Sequence, residues 1–352
     1  MSRLGFAIPG DLAMLTGGYG YDRELIAHLP ACGVEVGHLR LPDGFPFPSV
    51  QVLEAALHQL ASAQHFDALL IDGLAFGVLP ADELAKLRVP LIALVHHPLG
   101  LESGLTAEQS AQLVSRERAA LTQSQHVIVT SQTTRETLVA DFGVPQDHIT
   151  VALPGVRPVE RATGSGGIGV AMLAVGAVIA RKAYDTLVEA LAHLKDLHWS
   201  LTIIGSLDRD PDRVEALQAQ IVSAGLDDRV TLSGEASGEG LDTAFRQSDL
   251  FVLASHYEGY GMVLAEALSY GLPIVTSTGG ASAKTAPDGA ALKVPPGDPS
   301  ALASALRRAI SDRGLRKVMA QESWEAGQTL PRWQETAQVV ARVVQQVRGL
   351  QP

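Results

Sequence analysis

The sequence has a single cysteine, Cys32, in 352 residues. No internal disulfide is possible, and a reducing, cytoplasmic setting is expected. Aromatic residues are 5 % of the chain, too few for the stacking platforms of a single-strand binder. Basic residues are also scarce: 27 Lys and Arg face 38 Asp and Glu, a net charge of −11. That balance argues against nucleic-acid partners and against stable membrane association, while leaving room for a small basic pocket for one phosphorylated ligand. Long apolar runs are missing as well. The first, Leu4 to Ile8, is cut by Pro9-Gly10-Asp11, too early for a signal-peptide core. The longest, Gly167 to Ala180, holds 14 residues, three of them glycine. A bilayer span needs about 20.

What remains is a composition with 46 % hydrophobic and 18 % charged residues, enough for two buried cores at a length that suggests two domains. Short apolar runs alternate with helix-patterned segments. In the first half the predicted strands are Leu4–Ile8, Val34–Leu39, Ala68–Ile71, Leu91–Val95 and Val127–Thr130, with helices such as Asp22–Leu29, Val50–Ser62 and Ala107–Leu121 between them. The second half repeats the rhythm with Val170–Val175, Ser200–Ile204, Val230–Leu232, Leu250–Ala254 and Pro273–Thr276. This βαβα pattern predicts an α/β protein with two Rossmann-like domains built on parallel sheets. The glycine-rich stretch Pro158 to Gly169 reads as the linker, giving domains 1–160 and 161–330 and a helical tail, 331–352, that packs on either one. Gly164, Gly166 and Gly169 spell G-x-G-x-x-G, but the strand follows the motif instead of preceding it, so a dinucleotide fold is not expected.

Ligands on open parallel sheets bind beyond the carboxyl ends of the strands. After the first strand comes Thr16-Gly17-Gly18-Tyr19-Gly20, ahead of a helix expected to start near Asp22. Its glycines suit either a plain turn or backbone contact with an anion. Leu91–Val95 runs into His96-His97-Pro98; adjacent residues on extended chain point apart, which makes the histidines a poor chelating pair. Gly176 ends a strand shortly before the basic pair Arg181-Lys182, and Gly205-Ser206 ends the next. Asp208-Arg209-Asp210 spells D-x-D, but beside Pro211 it reads as an exposed acidic turn and not a metal site. The densest pattern is Glu258-Gly259-Tyr260-Gly261-Met262 leading to Glu266 on the following helix. Free N–H groups at the turn can hold phosphate, and the two carboxylates can accept hydrogen bonds from hydroxyls.

Glu258 and Glu266, with seven residues between them, resemble the E-x7-E signature of family 4 glycosyltransferases. These are retaining enzymes of the GT-B fold, with two sheets facing a central cleft. Gly17-Gly18, His96, and Gly176 with Arg181-Lys182 follow in the family's order. The resemblance implies that Glu258 contacts the donor sugar and Glu266 the ribose. It further implies that Lys182, helped by Arg181, binds the diphosphate, and that His96 lies near the reacting sugar. Gly17, Gly18, Gly176, Gly205, Gly259, Tyr260, Gly261 and Met262 would complete the donor site, with Tyr19, Tyr21 and His97 toward the acceptor. The chain departs from the family at Ala177, where many members carry Arg, and after Gly279-Gly280, where Ala281-Ser282-Ala283-Lys284 replaces a glutamate. The implied reaction moves a sugar from a nucleoside-diphosphate sugar to an acceptor nucleophile, with no metal and no cofactor. A GT-B epimerase or hydrolase, or a non-catalytic sugar-nucleotide binder, is the alternative. Residues 1–160 carry 9 basic against 17 acidic side chains, which favours a small soluble acceptor over one held at an anionic bilayer.

Overall fold

The computed structural model describes residues 1–349 and separates into two units. The first is Met1–Gly155 joined by the tail from Pro331 onward; the second is Val156–Leu330. The last three residues of the expected tail, 350–352, lie outside the described residues.

In the first unit six strands form one parallel sheet: β1 (Ser2–Pro9), β2 (Val34–Leu41), β3 (Ala68–Asp72), β4 (Leu91–Val95), β5 (His126–Val129) and β6 (Ile149–Val151). Their order is β2-β1-β3-β4-β5-β6. Every residue of β3, β4 and β5 is buried. That burial explains why these strands read as unbroken apolar runs and not as alternating ones. Each Leu or Ile removed from water there stabilises by roughly 1.5–3 kcal/mol. Helix Ala107–Leu121 starts where the pattern placed it because Thr106 and Gln109 close a capping box. The tail forms helix Trp333–Arg348, which buries Trp333, Ala337, Val340, Ala341, Val344 and Val347 on one face. That face packs on the Leu29–Cys32 turn and on helix Gly17–His28, so the tail belongs to the first unit although a whole domain separates it in sequence.

The second unit repeats the design with β7 (Val170–Val175), β8 (Trp199–Ile204), β9 (Val230–Leu232), β10 (Leu250–Leu253), β11 (Ile274–Ser277) and β12 (Ala291–Val294). All pairs are parallel, in the order β12-β11-β10-β7-β8-β9. The edge strands β6 and β12, of three and four residues, are not among the predicted strands; each is only partly buried and carries a polar residue, Thr150 in β6 and Lys293 in β12, that breaks the apolar run.

Pro158–Gly169 is not a linker. The Ala162 N–H donates to the Tyr270 carbonyl at 2.8 Å and Thr163 to Arg246 at 2.9 Å, while the Ser165 hydroxyl reaches Asp249 at 2.6 Å. Glycine content marked a chain that must turn closely against the second unit, not one that hangs between two. No helix among the described residues is long and apolar enough to cross a membrane.

Candidate active site

In an open parallel sheet the place for a ligand is where the strand order reverses direction. That point lies between β7 and β10 in the second unit and between β1 and β3 in the first. Both points carry a buried cluster of charge.

In the second unit the chain leaves β7 at Gly176, where a Cβ would stand 2.7 Å from Cε of Lys182. Glycine lets the lysine stem cross that backbone. Residues Ala180–Lys182 form a single tight turn, followed by Ala183 at φ 49. A left-handed alanine costs about 1–3 kcal/mol and persists only where surrounding contacts hold it. Here the His256 N–H donates to the Arg181 carbonyl at 2.8 Å, tying the turn to the end of β10. As a result Lys182 Nζ lies 2.7 Å from Oε1 of Glu258, and Arg181 lies 3.0 Å from its Oε2. The Ser255 hydroxyl donates to Oε1 at 2.6 Å. Burial alone would push the Glu258 carboxyl up, but Lys182, Arg181 and the hydrogen bonds outweigh it and hold it at about 2. Glu258 is therefore a carboxylate throughout the physiological range, and within this triad it meets two cations. Paired cations at a strand end attract an anion.

The Glu258 carbonyl accepts from the Ala281 N–H at 2.8 Å, which pins the Gly279-Gly280 loop against the motif. The turn then passes Gly259 and Gly261, the latter at φ 84, into helix Met262–Ser269. Tyr260 is buried against Val156 and Ala265, with half-buried Met262 beside it, and its carbonyl accepts from Thr285. Its ring thus packs in a small apolar cluster at the foot of the turn. Glu266 sits on the helix; burial pushes its carboxyl up to about 7, with Arg157 opposing and Asp242 adding to the rise. Gly205 ends β8 with its N–H donated to Gly234. Asp210 of the D-x-D caps helix Pro211–Ser223 through Arg213 N–H, while Asp208 and Arg209 are exposed.

In the first unit the helix begins at Gly17, not near Asp22, because Thr16 caps it by accepting from the Tyr19 N–H. Gly17 and Gly18 thus form its first turn. A Cβ on Gly18 would stand 3.3 Å from the His96 ring, which gives that glycine a packing reason. His96 Nε2 lies 3.3 Å from Asp22 and 3.3 Å from Asp72, while His97 turns to Glu102 at 3.4 Å. Tyr19 donates to the Pro9 carbonyl. Tyr21 is fully buried, donates to Ala152, and sets its ring against His96 and Trp333. The expectation of an acceptor contact fails for Tyr21, which has no surface to offer.

Asp22, Asp72 and Ser255 escaped the sequence reading. Asp72 closes a strand just as His96 follows one, and inspection of every strand end would have found it. Asp22 falls within the buried helix set Tyr21, Asp22, Leu25, a carboxylate on an apolar face.

Two family models match: Glycosyltransferase Family 4 over residues 14–160 and Glycosyl transferases group 1 over 169–325. The chain belongs to the family 4-like GT-B glycosyltransferases. Among relatives of this chain, mannosylfructose-phosphate synthase of Agrobacterium fabrum is 32 % identical over 44 % of the chain and 38 % of its own length. The chain spans less than two thirds of the curated relatives it first matches, 38 %, 63 % and 57 %. In fold it is similar to sucrose-phosphate synthase of Thermosynechococcus elongatus, with a TM-score of 0.86 at 20 % identity over 99 % of this chain and 100 % of that one. Anabaena HepE in complex with UDP-glucose gives a TM-score of 0.81 at 18 % identity, covering 98 % and 100 %.

Proposed function

We propose that this chain is a retaining glycosyltransferase that moves a sugar from a nucleoside-diphosphate sugar to a small soluble acceptor in the cytoplasm, with no metal at the diphosphate. The observation that carries the reading is the triad of Lys182, Arg181 and Glu258 at the switch point of the second unit. Lys182 and Arg181 stabilise the departing diphosphate, a role that a fixed cation fills without a metal. Lys182 stands where Ala177 supplies no charge. Glu258, held ionised by Lys182 and Arg181 and fixed in place by Ser255, orients the donor sugar, and Glu266 accepts from the ribose hydroxyls. The same reading takes the reaction as a front-face substitution, with the leaving phosphate drawing the acceptor proton. The names of mannosylfructose-phosphate synthase and sucrose-phosphate synthase each carry a phosphorylated disaccharide, which supports a small polar acceptor.

A panel of nucleotide sugars, each supplied with sugar-phosphate acceptors and excess EDTA, tests the reading. The expected result is transfer with the donor's anomeric configuration kept, read by NMR. Activity that vanishes in EDTA and returns with Mn²⁺ sinks the metal-free step; an inverted product sinks retention. An epimerised donor with no transfer selects the alternative reaction.

A further inference from the structure

His96 is surrounded by more negative charge than orientation requires. One carboxylate suffices to fix an imidazole ring, yet Asp22 and Asp72 both lie 3.3 Å from the same atom, Nε2. Asp22 is wholly buried and Asp72 nearly so. Their contacts come from different elements: Asp22 from helix Gly17–His28, and Asp72 from the end of β3, where its other oxygen accepts from the Leu74 N–H at 2.8 Å. The ring edge of Tyr21 meets the imidazole at 5.3 Å, and Gly18 closes a further side. The charged groups that oppose the carboxylates are Arg23, acting on Asp22, and the positive end of helix Gly17–His28. From β5 the neighbour is neutral: Thr130 donates to the His96 carbonyl.

Two buried carboxylates beside a neutral imidazole would leave both charges without compensation, which is unfavourable away from water. A proton on the ring offsets one of the two charges. Burial by itself lowers the His96 pKa, but the contacts with Asp22 and Asp72 reverse that and carry it to about 10. Burial pushes Asp22 up to about 7.

We propose that Asp22 and Asp72 are positioning residues that hold His96 as an imidazolium with Nε2 turned inward, so that Nδ1 is obliged to donate. A neutral ring with its proton on Nε2 would present a lone pair at Nδ1, and the imidazolium presents an N–H and a positive charge. The partly exposed ring then offers a cationic donor to a sugar hydroxyl or to developing negative charge. This rests on the sugar-transfer reading for its purpose, but the state of the ring does not.

The first test is therefore independent of activity. The full chain, dialysed against chelator, is labelled with ¹⁵N-histidine and its ring nitrogens are followed by NMR from pH 6 to 9, with metal content measured alongside. Both His96 nitrogens are expected to be protonated at pH 8. A neutral ring at pH 8 overturns the proposal. So does one equivalent of divalent metal retained per chain, since the three donor atoms lie within 4.8 Å of one another and a ligated Nε2 cannot carry a proton. The second test is the Asp22→Asn/Asp72→Asn variant. Its ring should be neutral at pH 8, with kcat down at least about tenfold, the donor KM little changed, and turnover partly regained at pH 5.5. Turnover equal to wild type at pH 8, or a loss that acid does not relieve, overturns it. If the double variant does not fold, Asp22→Asn alone carries the test through the same ring titration: its His96 must lose its proton at a lower pH than in wild type. Absence of any transfer by the wild type would defeat the functional reading while leaving the ring titration as evidence.

Discussion

Each of the two units has its own sheet of six parallel strands, but they carry charge clusters of opposite design. In the second, two cations, Arg181 and Lys182, enclose one carboxylate, Glu258; in the first, two carboxylates, Asp22 and Asp72, enclose one imidazole, His96. Each stands where strand order reverses. A common scaffold thus places side chains at the same kind of location, and the sign of the majority charge decides what each location can do. The cationic majority suits a diphosphate. The anionic majority cannot hold one, and acts on the ring it encloses.

The largest effect should separate the clusters directly. Lys182→Ala removes the charge that faces the diphosphate and should lower turnover by about 10²–10³-fold and weaken nucleoside-diphosphate binding too. His96→Ala should lower turnover with diphosphate affinity unchanged by calorimetry. Equal losses of affinity in both variants would end the comparison. Glu258→Gln keeps an acceptor for Lys182 and Ser255 but drops the charge, so turnover should fall by roughly 10–100-fold. Diphosphate affinity should hold or rise, because the two cations are no longer neutralised; a clear loss of affinity would place Glu258 elsewhere in the reaction.

A smaller effect concerns pH. Glu266 has a carboxyl raised to about 7, and ribose hydroxyls donate to the ionised form. Diphosphate affinity should therefore fall as pH drops, by about fivefold between pH 7 and pH 6. Glu266→Gln should bind more weakly at pH 8 and lose this dependence relative to wild type, whose difference from the variant cancels the ligand's own titration. A pH dependence that survives the substitution removes Glu266 from the ribose. The smallest effect is expected at membranes. With 9 basic and 17 acidic residues in 1–160, co-sedimentation with anionic vesicles at low salt should be negligible. Strong binding that fades with salt would mean that a local patch, with Arg116 and Arg118 the first suspects, overrides the average.

Much of this was legible in sequence, for identifiable reasons. Strands β3, β4 and β7 stand out because burial on both faces demands apolar runs, and helix Val50–Ser62 begins at its Ser49 cap as the pattern required. Glu258 and Glu266 are close in sequence, so one motif reveals both. The start of helix Gly17–His28 was misplaced because glycines lower helix propensity; the Thr16 cap and the space needed by His96 override it. Pro158–Gly169 was misread because glycine signals close turning as readily as freedom.

The elements, their parallel rhythm and the residues of the glutamate motif can be read along the chain, since each depends on neighbours within a few positions. That the tail returns to the first unit, that Tyr21 is core, and that Asp22, Asp72 and His96 form one cluster across 74 positions emerges from the packing alone. The reason is physical. Secondary structure follows from local periodicity and capping, whereas the charge state of a buried group follows from whatever the crossovers bring within a few ångströms of it, and no local pattern records that.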